Sequence, residues 1–264
     1  VSDIDYQEAI SRVGLRQAEI EDVALLYATH KPSAILTGWG LQRRRNGANI
    51  YRFIDALAAL TGNIGIVGGG VSHGMDETRW FDKSITLSDR VDNTRFIPKP
   101  QVGRGILTAN EPPIKAIFVT GANPVNQCPN TELVKKAFRS VEFVVVFDMF
   151  LTDTALLADV VLPTTHFLQE SDLVASYWHN YILPVNPAQK RIGEEKTDIE
   201  IFHMLASRLG FARDFPQDHD FYLRQMIEPL VKSGVTFETL KQSPYRPPSA
   251  VDVPFSDRKF TTPS

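Results

Sequence analysis

Two strand-length apolar runs between residues 114 and 163 constrain the fold most, because each is followed by a turn and then by a helical pattern. "IFVTGANP" (117–124) breaks into Gly-Ala-Asn-Pro, and "VEFVVVFDMF" (141–150) reaches an aspartate at Asp148. A third run, 160–162, stops before Pro163. Strands that alternate with helices predict a parallel sheet with right-handed crossovers. The sequence therefore predicts an α/β fold with a doubly wound, mostly parallel sheet flanked by helices.

The rest of the chain adds a strand, several helices and one long irregular segment. We expect strands at 34–37, 114–120, 143–147 and 160–162, and helices at 130–139, 152–157, 198–209 and 221–231. The glycine-rich "TGNIGIVGGG" (61–70) predicts loops or tight turns. Residues 71–112 are polar and without a clear period, and are expected to form an irregular excursion.

Charge and hydropathy exclude several classes of partner. The 264 residues carry 28 Lys and Arg against 31 Asp and Glu, a net charge of −3, so no nucleic-acid partner is expected. No apolar stretch approaches the roughly 20 residues that span a bilayer, so direct membrane insertion is not expected. The first residues show neither a signal-peptide pattern nor an initiating Met, and we expect the chain to begin inside a longer one.

Cysteine and histidine usage argues against chemistry held by this chain alone. The single Cys128 rules out an internal disulfide and a four-cysteine iron–sulfur cluster within the chain, and is predicted to be a free loop thiol. The six histidines show no HxH or HxxxH spacing. We therefore predict neither a metal ligand nor a catalytic residue in this chain.

Three stretches follow strands, where ligands bind to open parallel sheets: "TGWGLQ" (37–42), "TGANPVNQCPN" (120–130) and "FDMFLTDT" (147–154). Glycines there allow backbone N–H groups to approach an anion closely. Asp148 and Asp153 would repel phosphate and suit a donor-rich edge such as that of guanine. Two simpler interpretations stay open: Gly121 forms only a turn, and Asp148 caps only the following helix. The residues alone indicate a nucleotide-sized ligand.

Together the stretches resemble the molybdopterin oxidoreductase family, whose members hold molybdenum or tungsten in a bis(molybdopterin guanine dinucleotide) cofactor. Five blocks match in order, at residues 38–70, 114–130, 141–172, 193–210 and 258–264. The resemblance implies a Rossmann-like dinucleotide-binding domain over residues 1–213. It also implies a terminal helix and Pro-rich linker over 214–264, leading toward a missing C-terminal β-barrel domain. The chain is thus expected to be an internal fragment of a catalytic subunit, inactive alone.

The resemblance also assigns contacts. It implies that Gly38 and Gln42 touch the pterin–diphosphate side, and that Asn123, beside Gly121, clamps the nucleotide.

The resemblance also implies that Phe147 and Asp148 contact the guanosine, where the Asp148 carboxylate would accept from guanine N1–H and N2–H. Asp198 matches a further guanine or pterin contact, with a simple helix N-cap as the alternative, and Asp172 is a weaker candidate next to Glu170.

By resemblance the parent enzyme performs a two-electron redox reaction at molybdenum, in electron transfer and anaerobic respiration. An iron–sulfur cluster is expected only in the missing N-terminal region. The implied partners are the remaining domains of the same subunit, iron–sulfur electron-transfer subunits and membrane-anchor subunits. The segment "DLVASYWHNYI" (172–182) departs from the pattern of formate dehydrogenases and nitrate reductases, which leaves the substrate open.

Two alternatives remain at this point. One is a molybdenum-free scaffold relative of the complex I large-subunit type, although the polar trio Gln42, Asn123 and Asp148 would then be unnecessary. The other is the nucleotide-binding domain of a thiamine diphosphate enzyme, which would take FAD in the same cleft.

Overall fold

A computed structural model describes residues 5–88 and 95–260, and the chain folds as two compact units. The first comprises Val1–Asp76, Tyr177–Asn180 and Pro248–Ser264, and the second comprises Glu77–Ser176 and Tyr181–Pro247. The expected division after residue 213 falls inside the second unit. In the part of the chain that is described, no helix is both long and apolar enough to cross a bilayer. The end of the last matching block, 261–264, lies outside the described residues.

The first unit contains three helices and a short parallel strand pair within its described residues. The helices are α1 (Tyr6–Val13), α2 (Gln17–Thr29) and α3 (Gly47–Leu60). Strand β1 (Ala34–Leu36) pairs in parallel with β2 (Gly70–Ser72). The prediction of loop throughout 61–70 was wrong at its last residue, because β1 supplies a backbone partner that local sequence does not reveal.

The first residue of α3 packs closely on the turn that follows β1. A Cβ built on Gly47 would lie 2.6 Å from the Leu41 carbonyl oxygen and 2.7 Å from the Gln42 Cα. Only glycine permits this approach. The contact fixes the start of α3 against the 3-10 turn Leu41–Arg43.

The second unit is built on a parallel sheet in the order β3 (Ala116–Thr120), β4 (Phe143–Asp148), β5 (Val160–Pro163). The register pairs Thr120 with Phe147, and Asp148 with Pro163. The predicted α/β class with parallel strands and flanking helices is confirmed. One part of the expectation was wrong: β1 pairs with β2 in the first unit and does not join this sheet. Three residues carry too short a pattern to specify a pairing partner.

Helices α4 (Val102–Thr108), α5 (Pro124–Gln127) and α6 (Thr131–Arg139) contribute to the core beside this sheet. Helix α4 lies inside the segment expected to be irregular, because two glycines in "VGRGILT" mask its helical pattern. A Cβ on the first of them, Gly103, would lie 3.0 Å from the Leu133 carbonyl carbon in α6.

Cys128 is a free thiol in the bend that follows α5, as predicted, and its side chain is buried. It is 7% exposed and belongs to the apolar core of the second unit. The short helix α5 ends at this residue, whose N–H donates to the Pro124 carbonyl.

A second apolar cluster involves the C-terminal helices and an unpredicted hairpin. Strand β6 (Asp172–Ala175) pairs antiparallel with β7 (Ile182–Val185). The expected helix over 221–231 is two helices, α8 (His219–Met226) and α9 (Glu228–Val231), and α10 (Phe237–Gln242) follows. Helix α7 (Asp198–Leu209) has the predicted bounds and ends at Gly210, which adopts the left-handed conformation.

Candidate functional site

A cleft of about 680 Å³ lies where β4 ends and α7 begins in the second unit. Its size is that of a typical small-molecule pocket. Several of its lining residues had been predicted as ligand contacts from the sequence, and the fold brings them together: Gly121, Phe147, Asp148, Asp172 and Asp198.

Gly121 opens the turn after β3 and presents backbone to the cleft. Its φ of +58° lies in the left-handed region, and an added Cβ would meet nothing within 4 Å. Glycine is needed here for its conformation and not to relieve a steric clash. The space beside this peptide is open to a ligand.

Asn123 holds this turn from behind. Its Oδ1 accepts a hydrogen bond of 2.5 Å from the hydroxyl of Thr154, and its N–H donates to the Gln127 side chain. Thr154 is fully buried, and its oxygen also accepts from the Val125 N–H at 3.1 Å. The Asn123 amide therefore stabilises the turn, and its role as a nucleotide clamp stays a prediction.

Asp148 ends β4 at the cleft. Its Oδ1 accepts from the Phe150 N–H and its Oδ2 from the Thr152 hydroxyl, both at 3.2 Å. A carboxylate has about four lone-pair sites, so each oxygen keeps capacity for another donor. The carboxylate thus orders the loop after β4 and can still receive a ligand.

Phe147 supports the cleft from inside the core. Its side chain is 2% exposed, with the Phe118 ring edge-on at 6.3 Å and the Phe202 ring at 5.3 Å. Such aromatic contacts hold the end of β4 rigidly. Because its ring is buried, Phe147 lines the cleft mainly with its backbone.

The start of α7 forms another part of the lining. Thr197 is the N-cap: its hydroxyl accepts from the Glu200 N–H, while Glu200 accepts from the Thr197 N–H. Asp198 is the first helical residue, so the interpretation of Asp198 as the N-cap was wrong. Its Oδ2 accepts from the Thr120 hydroxyl at 2.6 Å, which joins the start of α7 to the end of β3.

Opposing effects set the pKa of Glu200. Burial acts most strongly and raises it, but the Arg191 guanidinium at 2.7 Å and the Thr197 N–H lower it, and the net pKa falls below its ordinary value. The charged form of Glu200 therefore stabilises the start of α7.

The cleft is acidic. Its described lining contains no Lys or Arg. It contains four carboxylates and two imidazoles, namely Asp148, Glu170, Asp172, Asp198, His166 and His219. Coulombic repulsion disfavours a phosphate among these carboxylates, and N–H donors suit them. No group of three or more His, Cys, Asp or Glu side chains in the described residues is arranged to hold a metal ion.

Some of these residues were missed or given little weight. Glu170 accepts from the buried Thr165 hydroxyl, and His166 accepts from the Leu168 N–H. His166 closes "PTTH" (163–166) at the end of β5 and Glu170 lies four residues further on, a stretch that the same rule of strand ends could have indicated. His219 opens α8, far along the chain, and no local pattern indicates it.

The remaining candidates, Gly38 and Gln42, belong to the first unit. The Gly38 carbonyl accepts from the Tyr51 hydroxyl at 2.7 Å. Gln42 lies exposed in the turn Leu41–Arg43. These two residues therefore form a separate polar loop after β1.

The family model described as molybdopterin oxidoreductase matches residues 10–208. The probable oxidoreductase YyaE of Bacillus subtilis is 36% identical over 264 residues, which cover 99% of this chain and 39% of that protein. Biotin sulfoxide reductase of Cereibacter sphaeroides is 27% identical over 71% of this chain and 28% of its own length. The chain thus spans well under half the length of these relatives.

A solved structure shares the fold. Acetylene hydratase from Pelobacter acetylenicus superposes with a TM-score of 0.66 over 88% of this chain and 37% of that one. At 21% sequence identity, the likeness establishes the fold alone.

Proposed function

This chain belongs to the molybdopterin oxidoreductase family, and from that premise we propose that its second unit binds the guanine nucleotide end of a molybdopterin guanine dinucleotide. In this proposal the cleft at the end of β4 receives the base. The pterin side of the cofactor is assigned to Gly38 and Gln42, which follow β1. The metal is molybdenum or tungsten.

The acidic lining of the cleft carries the proposal. Guanine presents N1–H and N2–H side by side, and the two oxygens of one carboxylate match that pair of donors. Asp148 retains the lone pairs for this contact while its loop stays ordered. Adenine offers no such adjacent pair, so the same carboxylate favours guanine over adenine.

The phosphates need backbone N–H donors away from these carboxylates, and the turn after β3 at the rim of the cleft offers such donors. Gly121 leaves open space beside its peptide, and Asn123 and Thr154 hold the turn in place from the buried side. Backbone N–H groups in such turns bind phosphate oxygens without a cationic side chain. The residues of the cleft therefore fit a guanine nucleotide, and the cofactor assignment is consistent with the family.

The activity of the whole enzyme follows from the cofactor in this proposal. When bound, the cofactor supplies the metal at which a two-electron redox reaction takes place. The residues described above bind and orient the nucleotide. Iron–sulfur and membrane-anchor subunits are the proposed partners.

Calorimetric titration of the chain with GDP, ADP and FAD tests the proposal. We expect GDP to bind at least about tenfold more tightly than ADP, since one charge-assisted hydrogen bond contributes about 1.5–3 kcal/mol. Binding of FAD without GDP would instead support a domain of the thiamine diphosphate type. No binding of any nucleotide would support a scaffold that has lost the cofactor.

A further inference from the structure

A chain of hydrogen bonds in the first unit joins the ends of both strands to α3. The Thr37 hydroxyl, one residue beyond β1, lies 2.8 Å from Nδ1 of His73, one residue beyond β2. Nε2 of His73 lies 2.9 Å from Oδ1 of Asp55 in α3. Neither His73 nor Asp55 was a candidate from sequence.

The donors and acceptors in this chain are complementary. The Ser72 carbonyl accepts from the Thr37 N–H at 3.0 Å and lies 3.1 Å from the Thr37 hydroxyl, which is also 2.8 Å from Nδ1 of His73. The Thr37 oxygen can donate its one proton to the Ser72 carbonyl and accept from Nδ1–H, or donate to Nδ1, and in both arrangements Nε2–H donates to Asp55. Thr37 is only 6% exposed, which protects this bond from water.

A second contact from α3 reaches the same loop. Tyr51 and Asp55 are four residues apart and therefore share a helix face. The Tyr51 hydroxyl donates to the Gly38 carbonyl at 2.7 Å, and its ring meets His73 edge-on at a centroid distance of 4.4 Å. His73 is thus held between two side chains of α3 and the first residue after β1.

We propose that His73 is a positioning residue that, linked to Asp55 and Thr37, fixes the conformation of the loop Gly38–Gln42. The network supports the first residues of this loop, and Gly47 packs against its end. That the fixed loop serves the pterin side of the cofactor rests on the function proposed above. The positioning role rests only on the contacts within the first unit.

Trp39 lies inside this loop and reports on it directly. Its ring is 45% exposed and packs on Tyr177 with a centroid distance of 5.7 Å. Trp80 and Trp178 are the other tryptophans in the sequence, so Trp80→Phe with Trp178→Phe leaves Trp39 as the sole indole. Quenching of its fluorescence by acrylamide then measures how well the loop is held.

In that background, Asp55→Ala is expected to raise the quenching constant about twofold, because a loop without its support exposes the indole fully. Asp55→Asn should restore the original value, since its Oδ1 still accepts from Nε2–H. Asp22→Ala removes a carboxylate from exposed α2 and is the matched control, with no change expected.

Global stability and nucleotide affinity separate the interpretations. The Asp55 side chain is 53% exposed, so the urea midpoint of Asp55→Ala should stay close to that of the parent. Unchanged quenching in Asp55→Ala, or failure of Asp55→Asn to restore it, would overturn the positioning role. GDP titration of the same variants is independent of the quenching measurement. Absence of GDP binding by the parent protein would refute the proposed function and would leave the quenching result valid.

Discussion

In both units polar residues lie at or just after the ends of parallel strands, but their hydrogen bonds are used differently. After β1 and β2, Thr37 bonds to His73, and His73 bonds in turn to Asp55, so their polar groups are satisfied within the protein. After β4, Asp148 orders its own loop and retains unused lone pairs toward a cleft. Topology alone therefore does not make a binding site. We propose a binding site only where unused hydrogen-bonding capacity faces a cleft.

The strands also differ in how firmly they are held. Strand β4 lies between two parallel neighbours, and its residues from Val144 to Phe147 are buried. Strand β1 has one described partner, and Leu36 at its end is 69% exposed. Asp148 is therefore carried by the more firmly held strand, and preorganised recognition requires such support.

The largest effect is expected from truncating one side chain in each strand, which tests whether β4 is held more firmly than β1. Phe147→Ala is expected to lower the free energy of unfolding by about 4 kcal/mol, because it removes a buried ring that contacts two other rings. Leu36→Ala should change it by less than about 0.5 kcal/mol, since that side chain is exposed. Urea denaturation measures both, and equal losses would refute the difference in support.

A smaller effect is expected at the open carboxylate itself. Asp148→Asn keeps an oxygen for the Phe150 N–H but loses the anionic pair, so GDP affinity should fall about tenfold with ADP affinity unchanged. Asp153→Asn, at an exposed position of the same loop, is the control for charge. Calorimetric titration measures both affinities. An equal loss of GDP affinity in both variants would indicate a general effect of negative charge and would contradict recognition of the base by Asp148.

The smallest effect concerns the start of α7 and depends on pH. Because the folded-state pKa of Glu200 is below its ordinary 4.5, its charge stabilises the fold above that pH, and the contribution is lost as pH falls through the folded value. Glu200→Gln should therefore cost about 1 kcal/mol at pH 7 and progressively less below pH 4.5.

Urea denaturation at several pH values measures this difference, with exposed Glu228→Gln as the matched control. A cost for Glu200→Gln that stays constant from pH 7 to pH 3 would contradict the role of its ionised form.

The sequence predicted the parts of the fold that local patterns specify. The β-branched run before Asp148 indicated β4, and the bounds of α7 follow from its capping residues Thr197 and Glu200 and from Gly210 at its end. Gly121 and Asp148 of the cleft were also predicted, because parallel strands bring their carboxyl ends to one edge, whereas Asp172 and Asp198 were expected only from the family resemblance.

Other features depend on contacts between distant residues. Strand β1 was expected from the sequence, but its pairing with Gly70 and its neighbours was not. His73 and Asp55 are 18 residues apart, and only the packing of α3 beside β2 brings them together. The hairpin of β6 and β7 carries no turn signal that predicts its pairing.

Hydrogen–deuterium exchange of the full chain, with and without GDP, tests the central claim most directly. If the cleft at the end of β4 holds the guanine base, GDP should slow exchange at residues 120–123, 147–150 and 197–199, and ADP should slow it at 147–150 less. Protection by GDP confined to other segments, or equal protection by ADP, would contradict the assignment of this cleft to guanine.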